Sequence, residues 1–249
     1  MKTELIMGIP VDNLTYQMIL SDLPYYLLEK KKMTIISVNP QIIIEAKRFP
    51  EVIDLIKTST HRIPDGIGVV LVSKLTGGNI RERVAGFDLM LKLLEYANVN
   101  GKSVFFYGAR IEILKDAIAN IGSTYPKINI VGAIDGYTNL SEQEIVREIN
   151  KCKPDFLFVA LGFPKQEQWL SRNINKLNVS IFQDVGGSFD VLSGHVKRAP
   201  QFFIKYNLEW MYRSLSNPSR IGRIFQLPSF LFKSLWWNYR GVDKHKKDN

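Results

Sequence analysis

The sequence predicts an α/β protein: a mostly parallel sheet flanked by helices, followed by a basic, aromatic and helical C-terminal appendage. From Gly101 onward, short apolar strands alternate with helical stretches of about 10–15 residues, which is typical of βαβ units. Most of these strands end in turns rich in Gly and Asp. Residues 197–249 carry eleven Lys and Arg against three Asp and Glu, so this segment holds +8 of the formal net charge of +9. We therefore expect a Rossmann-like domain over residues 1–196 and an appendage over 197–249.

The first hundred residues predict two strands and several helices. Met33–Val38 is a continuous apolar run typical of a buried strand, and Pro40 suits the first turn of the helix that follows it. The run Ile67–Val72 indicates a buried helix or strand. A helical pattern from Leu14 is expected to be interrupted or kinked at Pro24. The other predicted elements are a strand at Glu4–Ile9 and helices at Gln41–Arg48, Pro50–Lys57 and Gly86–Asn98.

Beyond Gly101 the strand and helix patterns are regular. Ser141, with Glu144 three residues later, forms a capping box that marks the start of a helix. The predicted strands are Ser103–Tyr107, Ile128–Val131, Phe156–Leu161 and Val179–Gln183. The predicted helices are Ile111–Tyr125, Ser141–Cys152, Glu167–Leu177 and, in the appendage, Gln201–Leu215.

Composition and length exclude several classes of protein. The 249 residues are 45% hydrophobic and 23% charged, enough for one sizeable core or one core plus an appendage. Cys152 is the single cysteine, which excludes an internal disulfide and a thiolate metal site, and the three histidines are scattered. The residues after Met1 show no signal-peptide pattern, and no apolar run reaches the roughly 18 residues of a membrane span. We expect a cytoplasmic protein.

The strand ends predict a ligand site. Ligands of parallel sheets bind beyond the carboxyl ends of the strands, and the helix N-termini that follow favour phosphate. Small or polar residues stand at five such ends, and together they indicate a nucleotide site. They are Ser37 and Asn39; Gly108 and Ala109; Asp135, Gly136 and Tyr137; Gly162, Lys165 and Gln166; and Gly186.

The common nucleotide motifs do not occur in this sequence. It has no complete Gly-x-Gly-x-x-Gly fingerprint, no Walker loop and no Asp-x-Asp pair that would hold a metal against a diphosphate. We expect a metal-independent site without a cofactor, built from backbone amides and arginines.

The turn Pro64-Asp65-Gly66 displays a carboxylate and is followed by a loop with two arginines, Arg81 and Arg83. One interpretation is a catalytic base beside an anion clamp. The alternative is that Asp65 caps the helix that follows and that the arginines are solvated. The residues alone leave both interpretations open.

The basic appendage predicts an anionic partner. Residues 224–240 are aromatic, apolar and basic but broken by Pro228 and Lys233, which suits a segment that lies in the interface of an anionic membrane, with Trp236 and Trp237 at the headgroups. A helix packed on the core and a dimer contact are alternatives. Binding of RNA is less favoured because the aromatic residues form one apolar block, so no nucleic-acid partner is expected.

Several ungapped motifs in order give the chain a family resemblance. It resembles the WecG/TagA/CpsF family of bacterial glycosyltransferases, and within it the TagA-type N-acetylmannosaminyltransferases of wall teichoic acid synthesis. The resemblance covers nearly the whole chain. Its motifs are Asn39-Pro40, Pro64-Asp65-Gly66, the run from Arg81 to Asp88, the run from Leu161 to Glu167, Gly186 to Asp190, Lys197 to Pro200, Leu208-Glu209-Trp210 and Arg220 to Arg223.

The resemblance implies an inverting transfer of N-acetylmannosamine from UDP-N-acetylmannosamine to the 4-hydroxyl of N-acetylglucosamine on undecaprenyl diphosphate. It implies that Asp65 is the general base and that Arg83 contacts the donor. Gln166 and Asp190 would hold the donor, and Ser37 would lie on the acceptor side. Arg213, Arg220 and Arg223 would fold over the pocket and neutralise the leaving UDP.

The resemblance also implies a protein that is peripheral on the inner face of the cytoplasmic membrane. Two alternatives stay open: a same-family enzyme of capsule or exopolysaccharide synthesis that uses another UDP-sugar, such as a uronic acid or glucose, and a non-catalytic nucleotide-binding membrane module. A homo-oligomer is compatible with every feature of the sequence.

Overall fold

The computed structural model describes residues 2–215 and 226–247. A six-stranded sheet carries helices on both faces, and a two-stranded hairpin precedes it. The strands are β1 Thr3–Ile6, β2 Ile9–Asp12, β3 Met33–Val38, β4 His61–Pro64, β5 Ser103–Gly108, β6 Asn129–Ile134, β7 Phe156–Ala160 and β8 Ile181–Asp184. The helices are α1 Tyr16–Leu28, α2 Pro40–Glu45, α3 Pro50–Thr58, α4 Ile67–Leu75, α5 Gly86–Val99, α6 Ile111–Thr124, α7 Glu142–Cys152, α8 Lys165–Asn173, α9 Ser188–Leu192, α10 Gln201–Lys205, α11 Glu209–Leu215 and α12 Gln226–Lys247. Short 3₁₀ turns follow α2 and α8.

The large sheet has the order β4-β3-β8-β7-β5-β6, and all of its pairings are parallel. This confirms the predicted fold class. Side chains of the central strands are buried on both faces; Ile35 and Ile36, for example, belong to two different core clusters. Adjacent residues of a strand point to opposite faces, so a sheet covered by helices on both sides needs continuous apolar strands.

Two N-terminal elements differ from the predictions. The stretch predicted as one strand, Glu4–Ile9, is a hairpin, because Met7 and Gly8 take positive φ values of 52° and 85° and turn the chain. His61–Pro64 forms the edge strand β4, although it has no alternating apolar pattern. The Arg62 side chain of β4 pairs at 2.9 Å with Asp12 of β2, which is fully buried, so a tertiary ion pair holds this strand.

Helix α1 is continuous through Pro24, where an interruption or kink was expected, and α12 also contains a proline. Helix α1 runs past Pro24, which lies on its exposed side, where the unpaired carbonyl of the preceding turn can be hydrated. Helix α12 runs through Pro228 and Lys233. Pro228 is in the first turn of α12, where a missing N–H removes no helical hydrogen bond. The predicted helix Gln201–Leu215 is instead two helices, separated at Asn207, which has a φ of 57°.

The last helix lies on the body of the protein through one face. Phe230 and Ser234 of α12 are buried, and Leu227 and Leu231 are partly buried, so four residues at helical spacing form the packed face. This face contacts α2 and α4. A Cβ at Gly68 of α4 would lie 2.5 Å from Leu227 Cδ1, so α12 approaches α4 where α4 has no side chain. Within the described ranges, no helix is both long and apolar enough to cross a membrane.

Candidate active site

The carboxyl edge of the large sheet brings the predicted residues of the body together in two groups. Asn39 follows β3, Ser37 lies near its end, and Asp65 follows β4. The second group lies beyond β5, β6 and β7. It contains Gly108, Ala109, Asp135, Gly136, Tyr137 and Gly162. Strand β8 separates β3 from β7, and it leads to Gly186 between the two groups.

Asp65 lies on a turn that is tied to the sheet. Its backbone N–H donates to the Val38 carbonyl at 3.1 Å, and its side chain is one-quarter exposed. Gly66, at a φ of 116°, is the N-cap of α4 and no side chain caps that helix. The alternative in which Asp65 caps the following helix is therefore wrong. A Cβ at Gly86 would lie 3.0 Å from Ser37 Oγ and 3.4 Å from Asp65 Oδ2, so these two side chains converge on the start of α5.

Arg83 is mostly buried and faces two carboxylates. Its Nη2 lies 3.9 Å from Asp65 Oδ1 and 3.0 Å from Glu209 Oε2, and its Nη1 donates to Asn207 Oδ1 at 3.2 Å. Burial opposes the charge of Arg83, but Asp65 and Glu209 outweigh burial and raise its pKa. Arg83 Nε is buried without a hydrogen-bond partner in the structure as described. Arg83 is thus not a solvated arginine, whereas Arg81 is exposed.

The segment after residue 196 docks beside this pair. Arg198 contacts Asp88 of α5, lies over the Phe87 ring at 4.8 Å, and places its Nε 3.7 Å from Glu209 Oε1. Glu209 therefore faces both Arg83 and Arg198. The sequence interpretation gave no role to Glu209 or Arg198, although both belong to the motifs that carried the resemblance. Arg213 lies in α11, with its side chain outside the described part; Arg220 and Arg223 lie outside the described residues.

A buried polar network connects the two groups of site residues. Gln166 Oε1 accepts from the backbone N–H of Gly162 at 3.2 Å and from that of Gly186 at 3.1 Å. Gln166 Nε2 donates to Glu167 Oε1 at 2.9 Å and lies 3.5 Å from Asp184 Oδ2.

Asp184 extends the network to β3. Its Oδ1 accepts from the Ser37 backbone N–H at 2.9 Å. Burial raises the pKa of Asp184 well above its ordinary value, and the charges of Glu167 and Asp65 add to this. Burial likewise raises the pKa of Glu167. The sequence interpretation missed both acids; a carboxylate at the end of an apolar strand is the one signal that marks Asp184.

The second group lies at the carboxyl edge around the boundary between β5 and β7, the kind of position where parallel sheets form a ligand crevice. From β5 the chain passes to β6 on one side, and from β7 it passes to β8 on the other, so the strand order reverses between them. Gly108 has a φ of 125°, and a Cβ there would lie 2.2 Å from the Ala160 carbonyl oxygen. Ala109 has a φ of 58° and accepts from the Gly136 N–H at 2.7 Å. The turn after β5 therefore packs directly against the end of β7 and the turn after β6.

The other predicted site residues differ in their exposure and in their hydrogen bonds. Asp135 Oδ1 accepts from the Tyr137 N–H at 2.9 Å, and Tyr137 is exposed. Lys165 is exposed at the start of α8, and Asp190 is half-buried in α9. Asn39 caps α2, because its Oδ1 accepts from the Ile42 N–H at 3.0 Å.

Tyr16 supports the arginine loop and was not predicted. Its hydroxyl accepts from the Ala85 N–H at 2.8 Å. Burial raises the pKa of Tyr16 to about 12, so its hydroxyl stays protonated and holds a hydrogen to donate.

The arrangement has the chemistry of a transfer site for anionic substrates. A carboxylate can accept a proton from a hydroxyl group, and an adjacent guanidinium can hold phosphate. Backbone N–H groups at helix starts add further donors for phosphate. Nowhere in residues 2–215 or 226–247 do three or more His, Cys, Asp or Glu side chains gather as metal ligands.

Comparison with known proteins gives consistent matches over this fold. The family model of the glycosyl transferase WecG/TagA/CpsF family matches residues 4–244. A Bacillus spizizenii protein is 41% identical over 206 residues, which cover 83% of this chain and 80% of the relative. Proteins of Bacillus subtilis strain 168 and Staphylococcus aureus strain MW2 are 38% and 34% identical, each covering 92% of this chain and 90% of the relative.

All three relatives are named N-acetylglucosaminyldiphosphoundecaprenol N-acetyl-beta-D-mannosaminyltransferase. The family match spans nearly the whole chain, and it includes the appendage as well as the sheet. On this evidence of sequence, fold and site, the chain is a glycosyltransferase and belongs to the WecG/TagA/CpsF family.

Proposed function

We propose that the protein transfers N-acetylmannosamine from UDP-N-acetylmannosamine to the 4-hydroxyl of N-acetylglucosamine on undecaprenyl diphosphate, with inversion at the anomeric carbon. The names of the relatives support this acceptor and this sugar. This step makes the linkage unit of wall teichoic acid. The observation that carries the proposal is the Asp65 carboxylate, held on a turn at the carboxyl edge of the sheet beside Arg83.

In this proposal Asp65 is the general base. As the acceptor oxygen attacks the anomeric carbon, its proton passes to a carboxylate oxygen of Asp65, the new glycosidic bond forms, and the bond to UDP breaks. Attack on the face opposite the leaving group inverts the configuration. Positioned general bases contribute about 10²–10⁴ in rate. The ion pair with Arg83 fixes the direction of the Asp65 side chain, and the unpartnered Arg83 Nε is a donor for a substrate oxygen.

The crevice between β5 and β7 is the proposed donor site. Its turns at Ala109, Gly136 and Gly162 offer backbone to the nucleotide, and Lys165 and Asp190 flank it. Gln166 acts indirectly: its side-chain oxygen is already engaged by Gly162 and Gly186, so it shapes the turns that receive the donor. Ser37 and Asn39 lie toward the acceptor side, near Asp65.

We further propose that no metal ion is needed. Negative charge grows on UDP as it leaves, and cationic side chains can neutralise this charge in place of a metal. Among the described side chains, Arg83 is the candidate for neutralising the leaving UDP. Arg213, Arg220 and Arg223 are proposed to cover the pocket and add further positive charge. The docking of Glu209 on Arg83 supports this, because it brings α11, which contains Arg213, to the site.

The face of α12 opposite its packed side is the proposed membrane contact. Phe232 and Trp236 stack with their ring centroids 6.3 Å apart and are 70% and 50% exposed, and Arg240 lies 4.8 Å over the Trp236 ring. Tyr239 extends this aromatic face, whereas Trp237, seven residues after Phe230, lies toward the packed side of the helix. Aromatic and basic side chains on one helix face suit the headgroup region of an anionic membrane. The proposed location is therefore the inner face of the cytoplasmic membrane, where the lipid-linked acceptor is found.

The test is a UDP-release assay with a panel of UDP-sugars, a lipid-diphosphate-linked N-acetylglucosamine acceptor, and EDTA. The proposal predicts acceptor-dependent release with UDP-N-acetylmannosamine above the other donors. Release with a UDP-uronic acid or UDP-glucose instead would assign the capsule or exopolysaccharide alternative. UDP binding without release from any donor would favour the non-catalytic module, and release abolished by EDTA would refute metal independence.

A further inference from the structure

A pair of buried acids lies between the two halves of the site. Glu167 is fully buried in α8, and Asp184 is 2% exposed at the end of β8. The Gln166 side-chain nitrogen lies 2.9 Å from Glu167 Oε1 and 3.5 Å from Asp184 Oδ2, so one amide brings the two carboxyl groups together. No lysine or arginine forms an ion pair with either acid in the part of the chain that the structure describes.

One carboxyl oxygen of this acid pair receives no hydrogen bond from any described residue. Glu167 Oε1 accepts from Gln166, and Asp184 Oδ1 accepts from Ser37. Glu167 Oε2 is buried and accepts from no group among the described residues. Two ionised carboxylates buried beside the same amide, with no described lysine or arginine paired to either, would carry a large desolvation penalty and repel each other. A proton on one of the two acids supplies the missing donor and halves the buried charge.

We propose that Glu167 and Asp184 share one proton and act as positioning residues that join the donor turns to the acceptor strand. Glu167 fixes the Gln166 amide, and Gln166 then holds the backbone of Gly162 and Gly186. Asp184 fixes Ser37 on β3. The chain of contacts crosses β7, β8 and β3, so a change at the acids reaches both substrate sides. The part of this inference that concerns the donor rests on the proposed transferase function.

The presence of the shared proton can be tested by measuring how the stability of the protein depends on pH, an experiment that needs no substrate. Burial raises the pKa of both acids, and for Asp184 the charges of Glu167 and Asp65 add to this, so the folded state holds a proton that the unfolded state releases above about pH 4.5. Stability is then lost as the pH rises toward the folded pKa. The groups that act on Asp184 are Glu167 of α8, Ser37 of β3 and, through its charge, Asp65 after β4.

Glu167→Gln and Asp184→Asn each replace the shared proton by an amide hydrogen. We expect the unfolding constant of the wild type to rise by up to about tenfold per pH unit relative to either variant, from near pH 5 upward. Glu142→Gln is the control: hydrogen bonds from Arg172 lower the pKa of Glu142, so its removal changes the slope in the opposite direction below about pH 4.5 and leaves the slope above pH 5 unchanged. A difference between wild type and both amide variants that does not depend on pH would overturn the shared proton.

The positioning role is tested by UDP affinity and steady-state kinetics. Glu167→Ala removes the acceptor of the Gln166 amide, and we expect a tenfold or greater loss of UDP affinity and a raised KM for the donor. Glu167→Gln keeps the oxygen and should restore most of the affinity. If Glu167→Ala does not fold, the same comparison is made with Gln166→Ala, which removes the link to both turns. Wild-type affinity in the alanine variant would overturn the positioning role, whereas absence of UDP binding by the wild type would refute the proposed function and leave the stability result standing.

Discussion

Arg83 Nη2 donates to Glu209 Oε2 at 3.0 Å, which joins the loop before α5 to a helix 126 residues later in the chain. The same guanidinium group faces Asp65 at 3.9 Å. Both partners are mostly buried, with 16% of the Arg83 side chain and 13% of the Glu209 side chain exposed. The state of the appendage is therefore connected to the orientation of the proposed base through a single arginine.

Glu209→Ala tests this connection. The substitution leaves Arg83 with one carboxylate partner, and hydrogen bonds to charged groups contribute about 1.5–3 kcal/mol. We expect a loss of stability in this range and a lower kcat, because the Arg83 side chain becomes free to close on Asp65. Glu148→Ala is the matched control, since it removes an exposed ion pair with Lys151 and should cost less than about 1 kcal/mol. Equal effects of the two substitutions in chemical denaturation would contradict the connection.

Gly68→Leu tests the packing of α12 against α4. A Cβ at this position would lie 2.5 Å from Leu227 Cδ1 and 3.0 Å from Pro40 Cγ, so a larger side chain displaces the helix. Removing Phe230 from the core would lose about 1.5–3 kcal/mol of apolar burial. Gly122→Leu in α6 is the control, because no atom lies within 4 Å of a Cβ there. Limited proteolysis should cut the C-terminal segment faster in the first variant only; equal resistance would show that α12 does not rest on Gly68.

The membrane contact is tested by replacing the exposed aromatic residues of α12. A Phe232→Ser, Trp236→Ser and Tyr239→Ser triple variant keeps the buried Phe230 and should therefore keep its melting temperature within a few degrees. We expect its sedimentation with anionic liposomes to fall at least about tenfold, since each large apolar side chain contributes about 1.5–3 kcal/mol when buried. A Tyr25→Ser and Leu28→Ser variant of α1 controls for general loss of exposed apolar surface. Undiminished sedimentation of the triple variant would refute the contact.

His61 should contribute a part of the stability that is lost in mild acid. Its Nε2 contacts Asp22 at 3.1 Å and its Nδ1 contacts Thr60 at 2.9 Å. Burial lowers the pKa of His61 more strongly than Asp22 raises it. The unfolded state therefore binds a proton that the folded state resists, so this stability is present above about pH 6.5 and is lost as the pH falls below it. Urea unfolding of His61→Gln should lack that part of the slope, and an unchanged slope would contradict the role of His61.

The regular second half of the body could be predicted from sequence, and the reason is physical. Strands such as Phe156–Ala160 are buried on both faces and therefore continuously apolar, and the capping box at Ser141 marks a helix start through local hydrogen bonds alone. The secondary-structure elements that the sequence did not predict depend on tertiary contacts. Strand β4 depends on the pairing of Arg62 with Asp12, and no local pattern reports a partner fifty residues away.

In the site, too, some features follow from sequence patterns and others depend on tertiary contacts. The positions of Asp65, Gly108 and Gly162 at the carboxyl edge follow from the strand order, and a parallel sheet makes this edge predictable. Glu209, Arg198 and the Glu167–Asp184 pair depend on which distant side chains meet. The predicted contacts of Asn39 and Gln166 with substrate stay predictions, because the structure shows that both side chains also serve the protein backbone.

The most direct test of Asp65 as the general base is the transfer rate of Asp65→Asn in a single turnover with donor and acceptor bound. Asn keeps the size of the side chain but cannot accept the proton, so we expect the rate to fall by about 10²–10⁴ while UDP affinity and melting temperature stay near those of the wild type. A rate within about threefold of the wild type would contradict the assignment of Asp65 as the base. A loss of UDP affinity equal to the loss of rate would show instead that Asp65 holds the donor.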